Sequence, residues 1–505
     1  MSAATAAVEK CLGVPDGRYS SLQQIKQAAA TLYDSGVCVL CILRFIPVPL
    51  GPIYHSTSIE SIYEALEITK PGEEADSVRL PCRACLGILD HEHVDHVVQK
   101  YKEQMYDADD MFITIELPKS IYIRHRAMQL FCEDNNTILG LSSEAIDVKE
   151  TIRYMISERL SSACNVEMSG ESEMRVDVMF GHQETATEHL FLFERDKSSV
   201  KLKTFRKKGV IMTTGDSKAS VINELAACSE DEFRANISCP PPTVSTKAEI
   251  NMITMKRSSL FVGGRYLKLK RNISQTPFVI EGRRVTDDSV AEIIGEPIKL
   301  ITGCDTYNLV GSGREDSDVR MLGNGRPFYI ECINPRIKKH PIEKILQIQE
   351  NLVEKNSPVQ VYNLQIIQPK DTSIIKEGEE HKTKHYCALV WFSELLTDEK
   401  LIELNNIGKQ EMIIDQKTPI RVLHRRAPLT RSKKIVSLKI DHIQGHFYRV
   451  RIESGAGTYI KEFVHGDLGR TKPSLSSMTG TTADILELDV ENVSLDFPPP
   501  LSTKY

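Results

Sequence analysis

Two hydrophobic periods alternate along the chain. Residues 145–160 place Ile146, Ile152, Met155, Ile156 and Leu160 at helical spacing, which predicts a helix. Ile342, Ile345, Leu346, Gln349, Leu352 and Val353 repeat that spacing behind Pro341, a residue suited to a first helical turn. Short runs of strand character lie around them: Asp110–Leu117, Ser120–Ile123, Met174–Phe180, Glu188–Phe193, Val359–Ile367 and His385–Phe392. Ile435–Ile443 and Phe447–Ile452 flank Gln444, Gly445 and His446, a predicted hairpin. Tyr459–Leu468 predicts a helix stopped by Gly469, Asp484–Val490 a last strand, and Phe497–Pro500 the end of the ordered fold. These elements predict an α+β protein whose residues 110–245 form an alternating α/β domain.

At 505 residues the chain exceeds one ordinary domain. Ser238–Thr243 (SCPPPT) reads as a boundary, because three prolines continue neither a helix nor a central strand. The expected segments are 1–109, 110–245 and 255–505. The longest apolar run, Val37–Leu43, ends at Arg44 and is too short to cross a bilayer. The N-terminus shows no basic-then-apolar leader pattern. Net charge is −6, so any nucleic-acid surface must be local. Two stretches qualify. Residues 255–284 hold Lys256, Arg257, Arg265, Lys268, Lys270, Arg271, Arg283 and Arg284, interleaved with Phe261, Tyr266 and Phe278. Arg421–Lys434 is the second, readable either as an RNA-contacting loop or as an imitation of a nuclear-localisation signal. The run Lys201, Lys203, Arg206, Lys207 and Lys208 reads as a solvated face.

Twelve cysteines in a large chain without a leader suggest a reducing compartment. Cys38 and Cys41 form one C-x-x-C turn, and Cys82 and Cys85 another. Two such turns complete a tetrahedral thiolate shell, which predicts structural zinc. The long insert between them has its own helix signal: Thr57 and Glu60 at capping-box spacing, then Ile59, Ile62, Tyr63 and Leu66 on one face. Cys11, Cys132 and Cys164 read as plain thiols outside this set.

The stretch Gly311–Phe328 (GSGREDSDVRMLGNGRPF) is the candidate for chemistry. Glycines at 311, 313, 323 and 325 suit sharp turns and close approach. Arg314, Arg320 and Arg326 are forked donors matched to phosphate. A carboxylate among them stays ionised and could serve as a nucleophile on a polyanionic substrate. Asp316 and Asp318 are both candidates; they share a face only if the stretch is a strand. A turn with surface ion pairs is the competing reading.

Residues 454–470 (SGAGTYIKEFVHGDLGR) resemble the G-T-Y-I-R/K motif of pseudouridine synthases. Together with GREDSDVRMLGNGRPF and the upstream QTPFVIEGRR, they resemble the tRNA pseudouridine synthase family of archaea and eukaryotes often called pseudouridine synthase ten. The likeness is specific over about residues 255–495, and the cysteine pairs extend it to the N-terminus. It implies a catalytic domain with a mixed, mainly antiparallel sheet, and a zinc-binding, THUMP-type RNA-binding accessory domain. It implies Asp316 as nucleophile, Tyr386 stacking on the target base, Tyr459 contacting substrate, and Lys461 paired with the aspartate. Arg314 and Arg320 are expected to bind substrate. The implied reaction isomerises uridine to pseudouridine in the tRNA T-loop, at positions fifty-four and fifty-five, with no organic cofactor. The implied partners are the tRNA T-arm and other RNAs, with no membrane; a monomer in nucleus and/or cytoplasm is expected. The alternatives are a non-catalytic RNA-binding or RNA-processing factor that keeps the fold, and a metal-dependent nuclease using Asp316 and Asp318.

Overall fold

Strand Asp110–Glu116 buries Met111, Ile113 and Ile115 and turns the residues between them outward, the two-residue period of a half-buried strand. In the computed structural model it lies in a four-stranded sheet, in the order Glu167–Met168, Asp110–Glu116, Met174–Gly181, Glu249–Arg257. Its pairings on both sides are parallel. The structure describes the chain except residues 1–2, 10–20, 47, 69–79, 136–144, 196–197, 199, 208–209, 340–341, 425 and 500–505. Expectations placed on Cys11, Lys208, Pro341, Arg425 and Pro500 lie outside the described residues. The chain divides into two units, Met1–Lys256 and Arg257–Tyr505.

In the first unit one apolar core runs from Ala4 through Val178 to Ala248, so residues 1–109 and 110–245 share it. Helix Val148–Cys164 buries the predicted stripe of Ile152, Met155, Ile156 and Leu160. Two strand expectations fail here. Ser120–Ile123 opens the helix Ser120–Asp134 instead. That helix serves two cores: Ile121, Met128 and Cys132 enter the large one, while Ile123, Ala127 and Leu130 enter a smaller one. A window of four residues reads as a strand because both stripes start inside it. Residues 188–193 form a turn and the short helix Phe191–Glu194, since Leu192 and Phe193 bury together rather than alternately. The proline run does not end the unit either. The carbonyls of Pro241 and Pro242 accept from Arg83 and Arg124, and the last strand follows. Lys203–Lys207 pairs antiparallel with Val210–Thr214.

The second unit is built on a ten-stranded sheet. Its order is Val359–Ile367, Leu260–Lys268, Arg320–Ile333, Ala483–Val493, Lys384–Phe392, Phe447–Ser454, Thr430–Gln444, Met412–Lys417, Thr471–Lys472, with Thr306–Gly311 also paired to Arg320–Ile333. Arg320–Ile333 meets Ala483–Val493 in parallel, and among the described residues the other pairings of this sheet are antiparallel. The predicted hairpin forms across Gly445. Helix Ile342–Glu354 buries Ile345 and Ile348, whereas Leu346 and Val353 stay exposed. The helix after Tyr459 spans only Ile460–His465. Gly466, at φ +80°, ends it three residues earlier than Gly469 would, and its N–H caps Glu462. Among the described residues, no helix is long and apolar enough to cross a membrane.

Candidate active site

The link between strands Thr306–Gly311 and Arg320–Ile333 carries Arg314, Glu315, Asp316 and Asp318. It is a loop closed by a turn, with Val319 N–H donating to the Asp316 carbonyl, so the shared-face argument for the two aspartates does not apply. Gly323 and Gly325 fall inside the following strand with φ of +55° and +64°. A Cβ at Gly323 would stand 1.9 Å from the Glu491 carbonyl oxygen, and one at Gly325 2.7 Å from that of Tyr266. These two glycines admit neighbouring protein backbone, not a ligand.

Beneath the loop sits a buried polar network. Glu315 accepts from Arg326 Nε at 2.8 Å and from the Tyr266 hydroxyl at 3.0 Å. Arg326 also donates to the Ser312 carbonyl at 2.7 Å, and Gln275 donates to the Gly313 carbonyl at 3.0 Å. Lys268 Nζ donates to the carbonyls of Ile273, Asp316 and Ser317 at 2.8, 3.0 and 3.2 Å. Burial pulls the Lys268 ammonium below its ordinary range, with the Glu315 carboxylate opposing. Burial likewise pushes the Tyr266 phenol up, reinforced by Glu315. The carboxylate that Arg326 neutralises is therefore Glu315, not either aspartate.

The basic stretch at 255–284 is largely consumed by the same architecture. Arg265 donates to the carbonyls of Asn324, Gly325, Val493, Leu495 and Phe497. Arg271 pairs with Glu487 and Asp489, and Arg284 with Glu292. Lys270 and Arg283 are exposed. Buried carbonyls need donors, and an arginine supplies five; a one-dimensional charge pattern cannot separate such internal cations from phosphate contacts.

Asp316 is half-exposed and meets two cations from distant segments. Arg421, in the turn Ile420–Val422, places NH1 3.2 Å from Asp316 Oδ2. Lys461, in helix Ile460–His465, places Nζ 3.4 Å from the same oxygen and 2.7 Å from Asp318 Oδ2. Burial works to raise the Asp318 carboxyl, and the Lys461 ammonium more than offsets it, so the group sits below its ordinary value. Arg421 was legible only as part of a basic cluster; no spacing rule ties it to residue 316.

The remaining candidates divide. Tyr386 is half-buried on strand Lys384–Phe392, packed against the core. Burial pushes its phenol up, while Arg326 and a hydrogen bond with Ser454 pull the other way. Tyr459 is pinned at both ends: Gln416 bonds its N–H and carbonyl at 2.9 Å each, and Arg426 NH1 donates to its hydroxyl at 2.8 Å. Arg314 is exposed on the loop. Arg320 turns away to Asp489, which it grips through two bonds of 2.8 and 2.5 Å.

In the first unit Cys38, Cys41, Cys82 and Cys85 bring four Sγ atoms within 4.8 Å of one another. Cys38 and Cys85 Sγ lie 3.8 Å apart, the edge of a tetrahedron with metal–sulfur bonds of about 2.3 Å. The donor set fits a metal ion that prefers thiolates. The insert helix is Ile59–Ala65, with Ile62 and Leu66 buried; Ser58, not Thr57, caps it by accepting from Ser61 N–H. Cys132 is buried apart from this cluster.

Comparison with known proteins follows the same division. The family described as Pus10, C-terminal, matches residues 261–494, and that described as Eukaryotic Pus10, N-terminal, matches residues 82–255. The Xenopus laevis protein named tRNA pseudouridine synthase Pus10 is 34% identical over 517 residues, covering 95% of this chain and 99% of that one. The Mus musculus protein of that name is 33% identical over 528 residues, covering 95% and 99%. The Thermoplasma acidophilum one is 36% identical over 253 residues, covering 50% and 62%. Among solved structures, a Cbf5–Nop10–Gar1 complex is similar with 18% identity, a TM-score of 0.25 and coverage of 45% of this chain and 47% of that one. On the full-length matches, this chain belongs to the Pus10 family of pseudouridine synthases.

Proposed function

We propose that this chain isomerises uridines of the tRNA T-loop, at position fifty-four, fifty-five or both, with Asp316 as the nucleophile. The observation that carries this is the convergence of Lys461 and Arg421 on the Asp316 carboxylate, in a protein of this family. In the reaction the bond between N1 of uracil and C1′ of ribose breaks, assisted by the carboxylate. The freed base turns, C5 joins C1′, C5 loses its proton and N1 gains one. Nothing is oxidised and no group leaves, so the balance calls for no redox cofactor. The target base must first leave its stack, at a cost of a few kcal/mol. Tyr386 offers a ring on which it can rest. In the accessory unit, zinc held by Cys38, Cys41, Cys82 and Cys85 would brace the fold without touching the reaction.

The test is pseudouridine mapping on transcribed tRNA with the wild type and with Asp316→Asn and Asp318→Asn. Asp316→Asn is expected to bind tRNA and form no pseudouridine. Turnover by Asp316→Asn, with loss in Asp318→Asn, would transfer the nucleophile's role to Asp318.

A further inference from the structure

Glu462 is a carboxylate in the wrong kind of place: about 2% exposed, one residue beyond Lys461, in a short helix beside the catalytic loop. Its Oε1 accepts from Arg421 Nε at 2.7 Å, and its Oε2 is buried with no hydrogen-bond partner among the described residues. A buried carboxylate is costly unless a cation meets it, and the cation here is the one that also meets Asp316. The guanidinium is planar, so using Nε on Glu462 fixes the plane and the place of NH1, which meets Asp316 as an ion pair and not as an aligned hydrogen bond. NH1 stands 3.2 Å from Asp316 Oδ2.

The turn that carries Arg421 is itself fastened. Ile420 N–H donates to Asp467 Oδ2 at 3.2 Å, Arg470 donates to the Thr418 carbonyl at 2.7 Å, and the Thr418 hydroxyl donates to the Ala427 carbonyl at 2.7 Å. Lys461 is a weaker director, because its ammonium has no plane and lies closer to Asp318. Both cations come closest to Asp316 at Oδ2, and among the described residues no hydrogen bond reaches Oδ1.

We propose that Arg421, oriented by Glu462, is a positioning residue that anchors one oxygen of Asp316 and leaves the other, Oδ1, as the attacking atom. This rests on the reading of Asp316 as nucleophile. Lys461 then supplies charge to both aspartates, while Arg421 supplies direction.

The experiment measures single-turnover isomerisation at saturating tRNA, and tRNA affinity separately, for the full-length wild type, Arg421→Gln, Arg421→Lys, Glu462→Ala and Asp316→Asn. Arg421→Gln is expected to lower the saturated rate by ~10–100-fold with affinity changed less than about threefold. Arg421→Lys is expected to fall between it and the wild type, since it restores the charge and not the fork. Glu462→Ala is expected to lower the rate in the same manner; if it fails to fold, the half-exposed Arg421 variants still decide. A wild-type saturated rate in Arg421→Gln overturns the inference, and weakened tRNA binding alongside it would make Arg421 a phosphate contact. Asp316→Asn keeps the two readings apart. Turnover in that variant removes the nucleophile assignment; a dead Asp316→Asn beside a fully active Arg421→Gln removes only the role given to Arg421.

Discussion

Arg326 Nε lies 2.8 Å from Glu315 Oε2, and both side chains are about 1% exposed. The pair sits under the loop that presents Asp316, with the Tyr266 hydroxyl as a third member. Removing one partner strands the other as a buried charge, at a cost of about 3–5 kcal/mol. Arg326→Met and Glu315→Gln are therefore expected to destabilise the unit Arg257–Tyr505 by about that much, read as a lower urea midpoint with an unchanged slope. Arg326→Lys is expected to fare little better, because Nε and NH1 serve two different acceptors. Asp316→Asn, at a half-exposed position, is expected to leave the midpoint within about 0.5 kcal/mol of wild type.

Tyr386 is expected to separate stacking from hydroxyl chemistry. Stacking of a base on an aromatic ring contributes about 1–3 kcal/mol. Tyr386→Ala should lose roughly five- to 150-fold in single-turnover rate if the base rests on the ring. Tyr386→Phe keeps the ring and loses only the hydroxyl, so it should stay within about threefold of wild type. Equal losses in the two variants would assign the work to the hydroxyl.

The parts of this fold that were legible in the sequence are those governed by local period. The stripe of Ile152, Met155, Ile156 and Leu160 and the strand Asp110–Glu116 each face a single core, so their periods are clean. Ser120–Ile123 misled because its helix faces two cores at once. At the site, Asp316, Asp318 and Lys461 were legible through short motifs. Arg421 was not, because its partner Asp316 is reached only through the fold. Arg326 and Arg265 read as phosphate ligands until burial showed them saturating Glu315 and backbone carbonyls. Composition counts charges; it does not say which of them the interior consumes.

His125 gives the first unit a pH dependence with a defined sign. Burial, and then the nearby Arg44 charge, pull its pKa from 6.5 to about 4; Asp147 pulls upward and Arg126 downward. The unfolded chain takes up this proton near 6.5 and the folded chain near 4, so between those values the unfolded state binds more protons. Stability contributed by neutral His125 is complete above 6.5 and is lost as pH falls toward 4. His125→Gln cannot titrate, so the gap between its unfolding midpoint and that of the wild type should change across this window and stay constant above it. A gap independent of pH would mean that His125 is not buried in neutral form.

Arg44 ties the cysteine cluster to later residues of the first unit. It is fully buried, with NH1 3.3 Å from Cys41 Sγ, Nε donating to the Ile146 carbonyl at 2.6 Å and NH2 3.3 Å from His125 Nδ1. Four thiolates around a divalent ion carry a net charge of about −2, costly to bury without a cation beside them. Arg44→Met is expected to weaken retention of a metal ion added to the four cysteines by ~10–100-fold, measured as transfer to a chromophoric chelator. Chelation itself should lower the melting temperature of Met1–Lys256 and leave that of Arg257–Tyr505 unchanged. Isomerisation of a minimal stem-loop should survive chelation, because none of the thiolates belongs to the loop that carries Asp316. If the stem-loop reaction died with the metal while the second unit still melted normally, the metal would have to act in the chemistry and not only in the fold.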